Sequence, residues 1–365
     1  MVKDIVEQSS SLEVRDNVPA ELLHSLQLKG LAEKLVEIHC ESDLEQTLAM
    51  GRNRKVDFIP LGEGSNLIFP ARREAWWLKL CIKGVEQIRS DARSVTLRVG
   101  AGENWHKFVV YCANNGYHGL ENLALIPGSV GAAPIQNIGA YGVEAGDFIS
   151  AVNGRYLRDS SGTHGAGSSF SFNHDECQFG YRDSIFKQCL RDAALITSVE
   201  FTLHRAFDPD LSYPRLKEEI KQSLPEGEIT AIKLVETVVN IRRSRLPDHR
   251  LRPNAGSFFK NPIVSAEVAN HLTDKFQDAP CFPVPGSDNS LYKLSAAWLI
   301  EKSELKGYRS GSLQMSEQHA LVLIHWPEEE QRADDKDVIN FAGFIQSTVF
   351  EKFAVKLEIE PRVFN

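Results

Sequence analysis

IPGSVGAAPIQNIGAYG, residues Ile126–Gly142, is the stretch that decides how this chain folds. It places four glycines and two prolines in seventeen residues and carries no charged side chain. Glycine admits positive φ and lets another molecule approach the main chain, while proline fixes the turns beside it. The composition predicts a loop that cradles a ligand, and a long tight loop with no ligand is the alternative.

A second glycine-rich segment, LGEGSN at Leu61–Asn66, follows the apolar run Phe58–Leu61 and precedes Leu67–Phe69. This order predicts a strand, a glycine turn and a further strand. Neither of the common phosphate-loop motifs is present, because no Lys-Ser or Lys-Thr follows a GxxxxG pattern and leucine takes the last glycine position of GxGxxG. Successive N–H groups and small polar side chains can still hold a diphosphate, here those of Gly62, Gly64, Ser65 and Asn66.

Both segments closely resemble the UDP-N-acetylenolpyruvoylglucosamine reductases, the flavin enzymes of bacterial peptidoglycan precursor synthesis. Further matches keep the order and spacing of that family over most of the chain. They are GLENLAL at Gly119–Leu125, VGAGENWH at Val99–His106, FGYRDSIF at Phe179–Phe186, LPD at Leu246–Asp248, NAGSFFKNP at Asn254–Pro262 and EKFAVKLEIEPR at Glu351–Arg362.

The length of 365 residues, of which 42% are hydrophobic, indicates two or three domains with buried cores. Periodicity alone predicts a mixed α/β protein, whereas the resemblance implies an α+β chain. Its parts are a two-domain FAD-binding fold of the vanillyl-alcohol-oxidase type and a C-terminal α+β substrate-binding domain. The expected bounds are 1–76 for the first flavin subdomain, including a polar N-terminal tail, 77–243 for the second, which also receives a last strand in 354–365, and 244–353 for the substrate-binding domain.

Hydrophobic periodicity also predicts individual elements. The expected helices are Ser42–Met50, Trp105–Asn114, Ser265–Phe276, Leu294–Glu301 and Asp335–Phe353. The expected strands are Val95–Val99, Ala194–Leu203, Ala320–Ile324 and Val355–Ile359. About the first forty residues look polar, and Asp159–Ser171 is predicted to be a surface loop within a domain.

Charge and composition exclude several classes of protein. The net charge of −8 is spread without long like-charge blocks, which argues against a nucleic-acid surface. The N-terminus lacks an apolar signal region and no run approaches the roughly 18 apolar residues of a membrane span, so we expect a cytoplasmic protein without a membrane partner. Six cysteines without a CxxC pair indicate neither a disulfide framework nor a metal site. We also expect a monomer.

The resemblance implies FAD as cofactor and NADPH as hydride donor. In the family NADPH reduces FAD and leaves, hydride passes from flavin N5 to C3 of the enolpyruvyl ether, and C2 then receives a proton. Noncovalent FAD is expected, because neither glycine-rich segment contains histidine or cysteine. The diphosphate is assigned to Gly62, Gly64, Ser65, Asn66, Ile126, Pro127, Gly128, Ser129, Gly131 and Ala132, and the flavin ring and ribityl chain to Ile138, Gly139, Ala140, Tyr141 and Gly142.

Three residues match the catalytic positions of the family. Ser257 is the expected acid that protonates C2, a role open to a weak acid because its target is a strongly basic carbanion. A serine-hydrolase role is disfavoured because Ser257 lacks the GxSxG elbow. Arg182 is expected to hold the substrate carboxylate and the enediolate, and an ion pair with Asp183 is the structural alternative.

The third catalytic group is a glutamate, which an ungapped alignment of the C-terminal segment places at Glu360. Glu358 is the rival, since Pro361 replaces the apolar residue usual after this position and a shift in register stays open. Close to an enediolate, Glu360 is expected to be protonated or hydrogen-bonded through water. A solvated strand carboxylate paired with Arg362 is the alternative.

For the substrate, the resemblance nominates Tyr213, Arg245, Asn261, Lys293 and Lys306. Tyr213 matches the tyrosine of the mobile substrate-covering loop in the long form of the family, and a half-buried strand tyrosine is its alternative. Asn261 shares a face with Ser257 if Gly256–Asn261 forms a helical turn. Two departures stand out: the family's Asn-Thr-Phe-Gly has no counterpart in Ser9–Asn17, and Gln318-His319 replaces the usual amide before Ala320.

Two other functions stay open at this point. One is a flavin oxidase or dehydrogenase of the same fold acting on another alcohol or sugar, which needs no proton donor at Ser257. The other is a catalytically silent flavin- or nucleotide-binding protein. The presence of both NAGSFFKNP and FGYRDSIF argues against the first, and an intact Ser, Arg and Glu set argues against the second.

Overall fold

A computed structural model describes residues 12–52, 56–159, 164–223, 227–284, 286–327 and 332–364. The start of the polar tail and residues 160–163 of the predicted surface loop lie outside these ranges. The chain forms two compact units. Unit 1 comprises Met1–Val18, Ala32–Gly62 and Glu74–Val238, and unit 2 comprises Pro19–Leu31, Glu63–Arg73 and Val239–Asn365. The three-domain bounds expected from the sequence stay a prediction.

Unit 1 begins with a four-stranded sheet and one helix. Its elements are β1 (Glu13–Pro19), β2 (Leu31–Ile38), α1 (Glu41–Arg52), β3 (Asp57–Leu61) and β4 (Arg72–Leu80), in the sheet order β1-β2-β4-β3. Strands β3 and β4 are parallel, so the chain that leaves β3 must cross back to begin β4. Leu44 and Leu48 of α1 pack on Phe58 and Trp76 in the core of this layer.

A five-stranded antiparallel sheet forms the rest of unit 1. It contains β5 (Val85–Ser90), β6 (Ser94–Gly100), β9 (Ile149–Tyr156), β10 (Ser169–Asn173) and β11 (Ala194–His204) in the order β10-β9-β11-β6-β5. Helix α2 (Trp105–Asn114) begins at Asn104, whose side chain accepts the Lys107 N–H and so caps the helix. The indole of buried Trp105 donates to the Leu123 carbonyl at 2.9 Å, which fixes the start of the glycine-rich segment on the helix.

A short hairpin and two further helices lie outside these two sheets. Strands β7 (Gly139–Ala140) and β8 (Val143–Glu144) form a small hairpin at the end of the glycine-rich segment. Helix α3 (Pro214–Ser223) follows β11 after a connecting segment, and α4 (Ala231–Arg245) leads toward the C-terminal part of the chain.

Unit 2 contains two small antiparallel sheets and three helices. The first sheet has the order β12-β18-β17-β16, with β12 (Asn254–Ser257), β16 (Arg309–Ser310), β17 (Leu313–Met315) and β18 (Val322–His325). The second has the order β13-β15-β14, with β13 (Ile263–Ser265), β14 (Cys281–Pro283) and β15 (Leu291–Leu294). Helices α5 (Ala266–Lys275), α6 (Ala296–Lys302) and α7 (Asp335–Phe353) surround a core that includes Phe258, Phe259 and Phe341.

The five predicted helices are confirmed to within a few residues, as are the strands at β3, β6, β11 and β18. Leu67–Phe69 was expected to be a strand, and this is wrong: Leu67 forms a single bridge with Arg362, and the Ile68 N–H donates to the Arg362 carbonyl at 2.8 Å. The segment folds into the core of unit 2 instead of a sheet.

Val355–Ile359 is not a strand either. Ile359 makes one bridge with Phe259. The ladder stops there because the N–H groups that the next rung would need are used elsewhere: Phe258 donates to the Leu321 carbonyl at 2.8 Å and Arg362 to the Asn66 carbonyl at 3.0 Å. The expectation of a polar stretch over the first forty residues missed β1 and β2; β1 is mostly exposed, so charged side chains conceal its strand pattern. Ser169–Ser171, assigned to the surface loop, begin β10.

Within the part of the chain that the structure describes, no helix is both long enough and apolar enough to cross a membrane.

Candidate active site

The glycine-rich segment Ile126–Gly142, called here the second loop, is held in shape by its own chain. The N–H groups of Val130 and Gly131 donate to the carbonyls of Glu103 and Ala101 at 2.8 and 2.9 Å, and the Ala132 N–H donates to the Ser129 carbonyl at 3.1 Å. A Cβ at Gly131 would lie 2.5 Å from the Cβ of Ala101, so glycine is required for this close approach. The second loop therefore has a defined form set by main-chain bonds.

Left-handed backbone marks both ends of the second loop. Leu125, Asn137 and Tyr141 have φ of 59°, 44° and 52°, a region that side-chain-bearing residues seldom adopt. Asn137, which is 2% exposed, donates to the Glu144 carboxylate at 2.7 Å and to the Gly180 carbonyl at 3.1 Å. Sequence reasoning missed Asn137, although asparagine between glycine-rich stretches is a known signal for positive φ.

The segment Leu61–Asn66, the first loop, touches the second loop within unit 1. A Cβ at Gly62 would lie 2.7 Å from the Ser129 hydroxyl, so these two positions are in direct contact. Both were assigned to FAD binding, and the structure brings them together.

The rest of the first loop belongs to unit 2 and contacts the segment Leu23–Ser25. Gly64 has φ of +66°, and a Cβ there would collide with the Leu23 carbonyl oxygen. The Gly64 carbonyl accepts the Ser25 N–H at 3.1 Å. Because C=O and N–H of a trans peptide point in opposite directions, the next N–H, that of Ser65, is directed away from Ser25. This orientation suits an anion on the far side of the loop.

His24 lies beside Gly64 and was not found by sequence reasoning. Its Nε2 accepts the Leu28 N–H at 3.1 Å, so the neutral ring carries its proton on Nδ1, which is buried and makes no hydrogen bond in the described part of the chain. Burial lowers the pKa of His24 to about 3. A buried ring N–H without a partner is rare in proteins, and here it lies directly beside the first loop.

Arg182 sits at the tip of a tight turn. Gly180 and Asp183 exchange two main-chain hydrogen bonds of 3.0 and 3.1 Å, and Arg182 has φ of +54°. Its Nη2 donates to the Gly139 carbonyl of the second loop at 2.7 Å. Asp183 instead accepts from the Gln188 amide and from the Ser184 N–H at 3.0 Å. The turn thus places a permanent cation against the region assigned to the flavin ring.

Ser257 and Glu360 are brought together in unit 2. The Glu360 N–H donates to the Phe258 carbonyl at 2.9 Å, and the Lys260 N–H donates to the Glu358 carbonyl at 2.9 Å. Ser257 ends strand β12, where it pairs with Val322. Gly256–Asn261 does not form the helical turn under which Asn261 would share a face with Ser257, because this segment is extended and pairs with the C-terminal segment.

Glu358 and Glu360 lie in different surroundings. The Glu358 carboxylate forms an ion pair with Lys260, and its side chain is 71% exposed. Glu360 is half-buried, and its N–H is bound to the residue next to Ser257. The ion pair gives Glu358 a surface role and makes Glu360 the better candidate beside Ser257.

Of the five nominated substrate residues, Arg245 and Lys306 both lie near His319 in unit 2. Burial is the main cause that lowers the pKa of His319 to about 4, and the charges of Arg245 and Lys306 act in the same direction. His319 Nδ1 accepts the Leu321 N–H at 3.3 Å, so the neutral ring presents Nε2–H as a donor. The same group contains the Glu301 carboxylate, which pairs with Lys306 at 3.2 Å, so Arg245 and the His319 ring N–H are the groups best suited to an anionic ligand.

The other nominated residues are distributed over both units. The Asn261 side chain accepts the Ala296 N–H at 3.0 Å at the start of α6. Lys293 lies in the central strand of the β13-β15-β14 sheet. Tyr213 belongs to unit 1, is 40% exposed and packs edge-to-face on Tyr141 with 5.3 Å between ring centroids.

Comparison with known proteins identifies close relatives. The family of UDP-N-acetylenolpyruvoylglucosamine reductase C-terminal domains matches residues 247–364, and the FAD binding domain family matches residues 32–164. A UDP-N-acetylenolpyruvoylglucosamine reductase from Photorhabdus laumondii is 40% identical over 336 residues, which cover 91% of this chain and 93% of that protein. The protein of the same name from Amoebophilus asiaticus is 35% identical over 355 residues, covering 97% and 100%.

Two solved structures share the fold. The UDP-N-acetylenolpyruvylglucosamine reductase of Thermus caldophilus aligns with a TM-score of 0.63 at 24% identity, covering 97% of this chain and all of that one. The 6-hydroxy-D-nicotine oxidase of Arthrobacter nicotinovorans aligns with a TM-score of 0.52 at 12% identity, covering 97% and 88%. The predicted fold is confirmed: it is an FAD-binding fold of the vanillyl-alcohol-oxidase type with an added C-terminal domain.

Proposed function

The chain belongs to the family of UDP-N-acetylenolpyruvoylglucosamine reductases, an FAD-containing family, and from that premise we propose that it reduces UDP-N-acetylglucosamine enolpyruvate to UDP-N-acetylmuramate. NADPH is the proposed hydride donor, and peptidoglycan precursor synthesis is the proposed process. The observation that carries the assignment at residue level is the 2.7 Å bond from Arg182 to the Gly139 carbonyl, because it anchors a carboxylate-binding group on the second loop.

FAD, when bound, would supply the redox chemistry, which is hydride transfer between NADPH and the enolpyruvyl ether. The first and second loops are proposed to hold it noncovalently. Support for this comes from the match of residues 32–164 to the FAD binding domain family and from the direct contact between Gly62 of the first loop and Ser129 of the second.

Arg182 is proposed to bind the carboxylate of the enolpyruvyl group. When C3 gains hydride, negative charge grows at C2 and spreads into that carboxylate, and a guanidinium already in place stabilises it without reorganisation. The tight turn and the bond to Gly139 hold the side chain before substrate arrives, which supports this role.

Ser257 is proposed to give its hydroxyl proton to C2, forming the new C–H bond, after which the serine oxygen regains a proton from water. Serine is a weak acid, so the step depends on the position of the hydroxyl more than on its acidity. Gly256 has φ of +70°, and a Cβ on it would meet no atom of the described residues within 4 Å. The space beside Gly256 therefore leaves the approach to Ser257 open.

Glu360 is proposed to steady the charge at C2 or to help reprotonate Ser257. Its N–H donates to the carbonyl of Phe258, the residue next to Ser257, so a main-chain hydrogen bond holds the two segments side by side. The ion pair between Glu358 and Lys260 supports the choice of Glu360 over its neighbour.

The diphosphate and sugar of the substrate are proposed to meet Tyr213, Arg245, Asn261, Lys293 and Lys306. His319, which sequence reasoning treated only as a departure, joins them as a neutral donor. A neutral donor contributes a hydrogen bond to phosphate and leaves the charge of the site unchanged. The cytoplasmic location and the monomeric state stay predictions.

An anaerobic visible spectrum tests the proposal directly. The purified protein should carry flavin bands that bleach on addition of NADPH and return on addition of the UDP-enolpyruvyl substrate. Flavin that is reoxidised by air alone would instead assign an oxidase of the same fold. A protein that takes up no flavin when FAD is supplied would contradict the proposal.

A further inference from the structure

In unit 1 the second loop is tied to the segment 205–213, which precedes α3 and carries Tyr213. The tie is made by Asn122, which is 2% exposed. Its amide nitrogen donates to the Tyr141 carbonyl at 3.0 Å and to the Asp210 carbonyl at 2.9 Å. Both amide hydrogens are therefore used, one on each side of the junction.

Further contacts follow the same junction. The rings of Tyr141 and Tyr213 pack edge-to-face with centroids 5.3 Å apart. A Cβ at Gly142, whose φ is +91°, would lie 2.9 Å from the Ser212 hydroxyl. The Asp210 carboxylate accepts the Ser212 N–H at 2.7 Å, which turns the chain just before Tyr213. The two pieces of main chain are thus in close and specific contact.

We propose that Asn122 is a positioning residue for substrate binding, which holds Tyr213 in place over the end of the second loop through its two hydrogen bonds. The proposal rests on the function above, in which Tyr213 contacts the substrate diphosphate. Tyr213 is 40% exposed, so the buried amide of Asn122 is the firmer anchor. No role in the reaction itself is assigned to Asn122.

The proposal predicts an effect on one half-reaction only. Tyr213 serves the UDP-sugar, whereas reduction of FAD by NADPH requires no contact with the substrate diphosphate. Loss of the two hydrogen bonds of Asn122 should raise the KM for the UDP-enolpyruvyl substrate about tenfold, which is the size of effect expected when one buried hydrogen-bonding group is removed. The value of kcat and the rate of flavin reduction by NADPH should change less than about threefold.

The test uses the full-length, FAD-loaded protein, with each half-reaction followed by stopped-flow absorbance. Asn122→Ala removes the amide, and Asn122→Asp keeps its volume but removes both N–H donors. Asn153→Ala is the matched control, because the Asn153 amide donates to Glu200 at 3.3 Å on the five-stranded sheet. Both Asn122 variants should show the raised KM, and the control should not.

A variant outside the buried site guards against a folding defect. Asp210→Ala breaks the bond to Ser212 on an exposed segment and should raise the same KM in the same direction. A cycle with Tyr213→Phe then tests the route: Asn122→Ala should add little in the Tyr213→Phe background, because the anchored hydroxyl is already gone.

Three results would overturn the inference: an unchanged KM in both Asn122 variants, an equal loss in the two half-reactions, or full additivity with Tyr213→Phe. Failure of the function itself looks different. In that case the NADPH-reduced wild-type protein would not be reoxidised by the UDP-enolpyruvyl substrate at all.

Discussion

The two glycine loops and the segment around Ser257 are built in different ways. In the second loop the shape comes from main-chain bonds, such as those of Val130 and Gly131, and from glycines that allow close approach. Around Ser257 the chain is extended, and it is placed by the distant C-terminal segment through Phe258 and Glu360. The glycine loops are therefore defined by their main chain. The segment around Ser257 is instead important for the individual side chains that it presents.

The largest effect is expected from removal of the Ser257 hydroxyl. Ser257→Ala should lower kcat for substrate reduction about a thousandfold, because general acid catalysis contributes roughly 10²–10⁴. Flavin reduction by NADPH should stay normal in stopped-flow absorbance.

The matched control is Ser265→Ala, since Ser265 caps α5 by accepting the Val268 N–H. That variant should lose stability by about 1 kcal/mol while keeping kcat. Similar kcat values for the two variants would show that Ser257 has no chemical role.

Two glycines with similar backbone allow a direct comparison of the regions. Gly64 in the first loop and Gly256 beside Ser257 have φ of +66° and +70°. Gly64→Ala should lower the free energy of unfolding by about 3 kcal/mol and weaken FAD retention, because left-handed strain adds to the collision with Leu23.

Gly256→Ala meets no described atom within 4 Å and should cost only about 1–2 kcal/mol, the strain alone. Urea unfolding followed by flavin and tryptophan fluorescence measures both variants. Equal losses would show that crowding in the first loop is unimportant.

The two carboxylates near the C-terminus sharpen the comparison within one segment. Glu360→Gln should lower kcat about a hundredfold, whereas Glu358→Gln should change it less than about twofold, because an exposed ion pair contributes little. Steady-state kinetics of both variants decides the register, and a larger effect at Glu358 would reverse the assignment.

Acid should weaken the surroundings of the first loop through His24. Its folded pKa of about 3 lies below the unfolded value of 6.5, so the unfolded state binds the proton more readily between these values. The contribution of neutral His24 to the free energy of unfolding is complete above about pH 6.5. It falls by about 1.4 kcal/mol per pH unit as the pH drops toward 3.

His24→Gln keeps an acceptor for the Leu28 N–H and should make the pH dependence shallower, leaving the part that comes from His319, whereas replacement of the exposed His271 should not change it. Urea midpoints at pH 7, 6 and 5 provide the measurement. An unchanged slope in His24→Gln would place the acid sensitivity elsewhere.

The positions of the two glycine loops were predictable from the sequence. Glycines and prolines report local backbone requirements, so the first and second loops could be found from Gly62, Gly64 and the Ile126–Gly142 composition alone. The helices were also predictable, because their apolar periodicity is local. Strand β1 and the segment 355–359 were not, because an exposed strand lacks alternation and a single bridge depends on a partner about a hundred residues away.

The same distinction explains the site residues that were missed. His24 reaches Gly64 across forty residues, and Asn122 reaches Asp210 across eighty-eight, so neither pairing leaves a local pattern. Arg182 and Ser257 were found through resemblance. The tight turn that holds Arg182 and the extended segment that holds Ser257 became visible only in the structure.

The self-bonded main chain of the second loop has a practical consequence for cofactor exchange. Because Val130, Gly131 and Ala132 satisfy their N–H groups within the protein, the loop should keep its form with and without flavin. Stripped protein should therefore accept modified flavins, such as 5-deaza or 8-substituted analogues, without refolding. The chain offers a ready scaffold for reconstitution with synthetic cofactors.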